Sequence, residues 1–351
     1  MVKYSVAVPR NPRYIAVLVL CGLATVYFLS RQSPSQYFRG TSSGKSLKWM
    51  LIDEEQHYDK VLRDREAMVR KWGPTSGLVE AFPPKRDFYT LWDFFIPAFN
   101  CPHRVERIGT MGDGGKWVCG MDRIAKQKEC VVYSFGVNGE SSFEAEILER
   151  APGCQIWGYD FSVSSFGPEI ELVPELKERA HFYPYALGDV NNHGPGADPP
   201  VHTLASLMEV NGHNFIDILK IDIEGNEFTS LEKFLEFYTS GAGANRRYGR
   251  PPINAPPAAW KEPEVVLPIG QIQIEIHART DTDYGTFSAF KGWWEKLEAA
   301  GLRPFWTEPN MVYVNLIRGA RPDLVEYSFM NLRGNHALVS DRFDESRRRR
   351  E

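Results

Sequence analysis

The clearest pattern along the chain is a short apolar run in which Ile216, Ile218, Leu219, Ile221 and Ile223 stand close together between polar residues. β-Branched residues dominate the run and it is too short for a typical helix, so it reads as a buried strand. Phe228, Leu231, Phe234 and Leu235 then recur at helical spacing. Asp222, Glu224 and Gly225 lie between, so the segment predicts strand, tight turn and helix, with two carboxylates at the strand's carboxyl end. In an open α/β sheet that end is where ligands bind.

Other stretches repeat this unit. Cys130 to Phe135 predicts a first strand, followed by the turn Gly136-Val137-Asn138-Gly139 and a helix through Ser142 to Arg150. Gln155 to Tyr159 predicts a second strand ending in Asp160, His181 to Leu187 a third, and Gly270 to Ile276 a fifth that runs out as Ile274-Glu275-Ile276-His277. Trp293, Trp294 and Leu297 mark the helix behind it. Arg303 to Trp306 and Met311 to Ile317 read as closing strands around Glu308-Pro309-Asn310, with Glu326 to Asn331 as a last edge segment. Strands alternating with helices imply a mostly parallel sheet, and right-handed crossovers bring the ends of strands one, two, four and five to one edge. Gly136, Asp160, Asp222 and His277 then gather around one crevice.

The amino-terminal part differs. Tyr14 to Ser30 carries no charge between Arg13 and Arg31, which fits a spanning helix of about 17 to 25 residues. The basic residues on its two sides do not decide orientation, and no clear cleavage site follows, so an uncleaved anchor is expected over a signal peptide. A polar stem follows from Gln32, and Ser46 to Trp72 then shows an amphipathic helical pattern that packs on the domain or on a second copy. The aromatic patch from Leu91 to Phe99 reads as a lid or cover helix. The expected organisation is a tail over 1–13, an anchor over 14–30, stem and helix over 31–85, one domain over 86–335 with an insertion at 239–263, and a charged tail over 336–351. Arg246, Arg247 and Arg250 in the insertion either meet an anionic substrate or lie in a solvated loop.

Composition adds bounds. The 351 residues are 43% hydrophobic and 25% charged, which is ordinary for a globular chain. A net charge of −4 gives no reason to expect nucleic acid as a partner. The five cysteines lack the paired spacings of a zinc site. A Cys101–Cys119 disulfide is open in an oxidising lumen, and buried free thiols are the alternative elsewhere.

Lys220-Ile221-Asp222-Ile223-Glu224-Gly225-Asn226-Glu227 resembles the signature of the FkbM-type methyltransferases. The chain as a whole resembles the related methyltransferase-like 24 group over about 104–331. Arg107 to Gly120, a glycine-rich turn or plain hairpin, and Ala186-Leu187-Gly188-Asp189 carry further parts of that resemblance. It implies an α/β, Rossmann-like class I methyltransferase fold: a mostly parallel seven-stranded sheet flanked by helices, plus an N-terminal transmembrane helix. It further implies S-adenosylmethionine as cofactor and a type II membrane protein with its catalytic domain in the Golgi or endoplasmic reticulum lumen. A glycan, lipid or small-molecule hydroxyl would be the methyl acceptor.

The cofactor would lie against Ser134, Gly136, Gly139, Glu144, Asp160, Phe161, Leu187, Gly188, Asp189 and Asp222. Asp160 follows the glycine turn at about the 20-residue spacing at which an acid binds ribose hydroxyls. Ser134 stands where the family's motif has an acid, a role that Glu140 or Glu144 could take over. For proton removal His277 is the first choice, since its ordinary pKa is near neutrality, with Asp222 and Glu224 beside it. No metal is assigned, although these three side chains could instead hold a divalent cation. A nucleotide-cofactor oxidoreductase is disfavoured by the incomplete three-glycine fingerprint, and a non-catalytic binding module stays open because of Ser134.

Overall fold

The computed structural model describes residues 46–84, 87–239, 266–279, 282–317 and 319–341. The expected anchor over 14–30, the stem before 46, Arg246, Arg247 and Arg250, and the tail from 342 lie outside these residues. No helix among the described residues is long and apolar enough to cross a membrane.

A hairpin, β1 (Val105–Ile108) and β2 (Lys116–Cys119), precedes the main sheet. The sheet takes β3 (Cys130–Phe135), β4 (Cys154–Tyr159), β5 (Ala180–Tyr183), β8 (Ile216–Ile221), β9 (Ile269–His277), β10 (Leu302–Pro309) and β11 (Leu324–Asn331). Its order is β10-β11-β9-β8-β3-β4-β5. β11 runs antiparallel to both neighbours, and the pairings from β9 through β8, β3 and β4 to β5 are parallel. The order reverses at β3 and β8, which opens a crevice beyond their carboxyl ends.

β8 is buried at all six positions, and its isoleucines and leucine point to both sides as expected of a strand covered on both faces. Asp217 is accommodated there because its carboxylate accepts from the Val131 N–H and from Gln127 Nε2, each at 3.0 Å. One face of the sheet is covered by α3 (Leu204–Val210), α4 (Glu227–Thr239) and α5 (Phe287–Ala299), with Leu91, Phe94 and Phe95 packed among them. The other is covered by α2 (Ser142–Arg150) and the hairpin. The aromatic patch is thus core, with a short 3₁₀ turn at Leu91–Phe94 where a cover helix was expected.

Three expectations change. The third strand stops at Tyr183, because Pro184 has no N–H to continue a ladder. Ala186–Leu187 instead forms β6, paired with β7 (Val201–His202). Met311–Leu316 is a helix, α6, and no strand; the Asn310 side chain accepts from the Tyr313 N–H at 2.9 Å and caps it. The strand that closes the sheet is β11, which sits between β9 and β10 and is no edge. Packing also continues past 335, since His336 and Leu338 are buried.

Two disulfides are formed, Cys101–Cys119 and Cys130–Cys154. The first was open from the sequence. The second joins the first residues of adjacent strands, which lie opposite each other in the β3–β4 register.

The amphipathic helix α1 (Leu47–Trp72) lies on the domain itself. Its Arg65 forms a two-pronged pair with Glu298 of α5, Nη1 to Oε2 at 2.9 Å and Nη2 to Oε1 at 2.7 Å. Arg65 Nε also donates to the Phe94 carbonyl at 2.9 Å, and Trp294 Nε1 donates to Glu298 at 2.8 Å. Burial by itself pushes the Glu298 carboxyl up, but Arg65, Tyr58 and Trp294 outweigh it and hold it below the usual range.

Arg65→Met leaves the Glu298 charge buried without its counter-charge, so urea denaturation of the variant is expected to show a loss of about 3–5 kcal/mol. Because the folded value of Glu298 is depressed, the stability it confers is present above about pH 4.3 and is lost as pH falls through the lowered value. The gap between wild type and Glu298→Gln should therefore narrow on acidification below pH 4.

Candidate active site

A cleft of about 600 Å³ opens beyond the carboxyl ends of β3, β4, β8 and β9, a size within the roughly 300–1,000 Å³ of small-molecule sites. One end is built by the turn after β3. Gly136 has φ +79° and its Cα lies against the backbone of Asp222, where a Cβ would collide with the carbonyl oxygen. Asn138 and Gly139 also have positive φ, at +48° and +73°. This turn is tied to the next strand by Asp160, whose Oδ2 accepts from the Asn138 N–H at 2.8 Å. Asp160 Oδ1 accepts from the Ser162 N–H and hydroxyl at 2.7 and 2.6 Å. Asp160 nevertheless faces the cleft, as do Phe161 and Ser162.

Tyr159, Tyr185 and Leu187 form a flat wall beside Asp160. Tyr159 and Tyr185 stack with a centroid distance of 6.5 Å, and Asn211 Nδ2 donates to the Tyr159 hydroxyl at 2.6 Å. Burial pushes the Tyr159 phenol well up, so this wall is neutral.

Beneath the turn lies a charged layer. Lys220 Nζ donates to the Gly136 carbonyl and to Glu144 Oε1, both at 3.1 Å. Ser134 Oγ donates to the same Glu144 oxygen. Ser134 and Glu144 are fully buried and do not line the cleft, so neither touches a ligand as expected; Glu140 does line it. Gly139 serves the turn. Gly188 and Asp189 also stay off the cleft: Gly188 gives room to Val201, and Asp189 is exposed.

The other end is acidic. Asp222, Glu224 and Glu275 line it together with Asn310, which donates to Glu275 Oε1 at 2.6 Å. Behind them Lys116, buried in the hairpin, pairs with Glu326 and stands 3.5 Å from Asp222 Oδ2. Burial alone would raise the Asp222 carboxyl, but Lys116, Lys220 and His277 hold it below its ordinary range. Glu275 goes the other way: burial, then the charges of Asp222 and Glu326, push it up to about 8. His277 is fully buried and does not line the cleft. Burial would lower it, yet the hydrogen bond and charge of Glu227, with Glu275 and Asp222, raise it to about 9. Shut off from the cleft and raised in this way, His277 is not placed to take a proton from an acceptor there, which corrects its assignment as general base.

Glu275, Asn310, Lys116 and Glu227 were missed. A signal for Glu275 was present, because Gln271, Gln273, Glu275 and His277 alternate with isoleucines along β9 and so share one face. The hairpin covers that polar row: Gln271 bonds the Cys119 backbone and Gln273 Nε2 donates to the Trp117 carbonyl at 3.2 Å.

Comparison with known proteins now decides the family. A family model described as a methyltransferase domain matches residues 55–241, more than half of the chain. The chain belongs to this methyltransferase-domain family. Its sheet is the Rossmann-like methyltransferase fold. No curated protein matches this chain. Among solved structures, the fibrillarin pre-rRNA processing protein of Methanococcus jannaschii is 12% identical, covering 72% of this chain and 87% of that one at a TM-score of 0.30. An O-methyltransferase family protein from Burkholderia thailandensis is 11% identical, covering 60% and 55% at a TM-score of 0.27. Coclaurine N-methyltransferase is 11% identical, covering 81% and 93% at 0.29. At these scores the likeness carries no argument, and the fold rests on the strand order and the family match.

The geometry of the first turn generates a prediction. Gly136→Ala puts a side chain at positive φ, which costs about 1–3 kcal/mol before the collision with Asp222 is counted. A lowered melting temperature is expected in thermal unfolding; an unchanged one would mean that the turn is not held as described.

Proposed function

We propose that this domain is an S-adenosylmethionine-dependent methyltransferase of the FkbM-type and methyltransferase-like 24 kind. It acts on a hydroxyl oxygen of a glycan, lipid or small molecule. The observation that carries the proposal is that the Gly136 turn, Asp160 and Asp222 share one cleft, with the aromatic wall on one side and the acidic end on the other. The donor set fits the cofactor. Asp160 has acceptor capacity left for a ribose diol, Tyr185 and Leu187 offer a flat apolar face for an adenine, and the carboxylate edge faces a sulfonium.

When bound, the cofactor supplies a methyl carbon whose bond to sulfur breaks, leaving the electron pair on sulfur, as the acceptor oxygen bonds to it. The chain's own part is to hold the two reactants in line, which can contribute several kcal/mol, and to receive the hydroxyl proton at the ionised Asp222 carboxylate. Supporting the lumenal side of the proposal are the two disulfides, which persist in oxidising compartments. The anchor over 14–30 would then make the chain a single-pass type II protein of the Golgi or endoplasmic reticulum.

Calorimetry with S-adenosylhomocysteine tests the cofactor. Wild type is expected to bind it, and Asp160→Ala to bind at least about tenfold more weakly, the equivalent of one charge-assisted hydrogen bond. Equal affinity in the variant would remove Asp160 from the site, and no binding by wild type would end the cofactor assignment. Transfer of labelled methyl from the cofactor into a membrane extract, with identification of the product, then names the acceptor.

A further inference from the structure

The segment from Asp222 to Glu227 carries three carboxylates, and the methyl-transfer reading accounts for only one. The other two converge on His277. Asp222, Glu224 and His277 each offer one ligand atom, and these atoms all lie within 4.8 Å of one another. His277 Nε2 stands 3.5 Å from Glu224 Oε2. That nitrogen has no hydrogen-bond partner, although the side chain is 0% exposed.

Glu227 explains the imidazole's orientation. Its Oε1 accepts from the His277 backbone N–H at 2.8 Å and faces ring Nδ1 at 3.2 Å. Its Oε2 accepts from the Gly225 N–H at 2.7 Å, so the carboxylate is fixed from both sides. A carboxylate that accepts a hydrogen bond from Nδ1–H leaves the Nε2 lone pair facing the acid pair, which is the arrangement that orients metal-ligating histidines. Glu224 is placed by an unusual backbone, φ +58°, and is steadied from outside by Arg279 at 2.6 Å. Asp222 and Glu224 both line the acceptor end of the cleft.

We propose that Asp222, Glu224 and His277 hold a divalent first-row transition-metal ion at the acceptor end of the cleft. An imidazole nitrogen with two carboxylate oxygens suits Mn²⁺ or Zn²⁺ better than Mg²⁺ or Ca²⁺, which favour all-oxygen sets. Three protein ligands leave coordination positions open towards the cleft, where the oxygen of an acceptor hydroxyl would bind and lose its proton more readily. The inference rests on the methyltransferase reading for its purpose but not for its geometry. It narrows the acceptor to one whose reacting hydroxyl, alone or with a neighbouring oxygen, can coordinate a cation.

The test uses the full chain in detergent and Mn²⁺ as probe, followed by electron paramagnetic resonance with Zn²⁺ in competition. One saturable Mn²⁺ per chain is expected. Glu224→Gln should weaken it at least tenfold with no change in melting temperature, because that side chain is 70% exposed. Asp222→Asn should weaken Mn²⁺ binding to a similar degree, and Glu227→Gln should weaken it by about 10–100-fold through the imidazole it orients. No saturable binding of Mn²⁺ or Zn²⁺ by wild type overturns the proposal, as does binding that both Glu224→Gln and Asp222→Asn leave unchanged. Parallel calorimetry with S-adenosylhomocysteine separates the two readings. Cofactor binding without metal binding ends the cation site alone, and metal binding without cofactor binding ends the cofactor assignment and leaves the cation site standing.

Discussion

The site depends on one buried charge. Lys220 lies in a strand with no exposed residue, and an ammonium taken out of water must find partners or destabilise the fold. Its partners are Glu144 at the start of α2 and the carbonyl of Gly136. These contacts fasten the central strand, the first glycine turn and the helix after it into one unit. Asp160 is then fastened to the same unit through Asn138, and Asp222 through its contact with Gly136. The geometry of the cleft floor follows from satisfying a single lysine.

That constraint also explains Ser134. In the family pattern an acid stands at this position, near the cofactor. Here the acid is Glu144, in the first turn of the helix, and it points beneath the floor, where the Ser134 hydroxyl joins it. A carboxylate at 134 would place a second negative charge against Glu144 with one ammonium to serve both. The substitution is compatible with an intact floor and so does not by itself favour a module without activity.

Elements with strong local signals were legible in the sequence: the apolar run of β8, the Gly136 turn, Asp160 at a strand end and the amphipathic α1. What was not legible comes from partners distant along the chain. Cys130 and Cys154 can be paired only once β3 and β4 are known to lie side by side in that register. Lys116 reaches Asp222 from a hairpin more than a hundred residues earlier, so nothing near the signature announces it. His277 looked like a base because an isolated imidazole titrates near neutrality, and its neighbours reverse that. Met311 to Ile317 has the apolar content of a strand, but Asn310 caps the segment at its head and it forms a helix none of whose residues is buried.

That helix, α6, has a consequence for how such a protein can diversify. It bridges two adjacent antiparallel strands, β10 and β11, whose register is set by their own pairing. None of its residues is buried, and yet Val312, Tyr313 and Leu316 form part of the cleft wall near the acidic end. Its length and side chains are therefore free to drift without disturbing the sheet, the lysine beneath the floor or the glycine turn. Selection could exchange one acceptor for another by rewriting this single bridge while the methyl-handling machinery stays untouched.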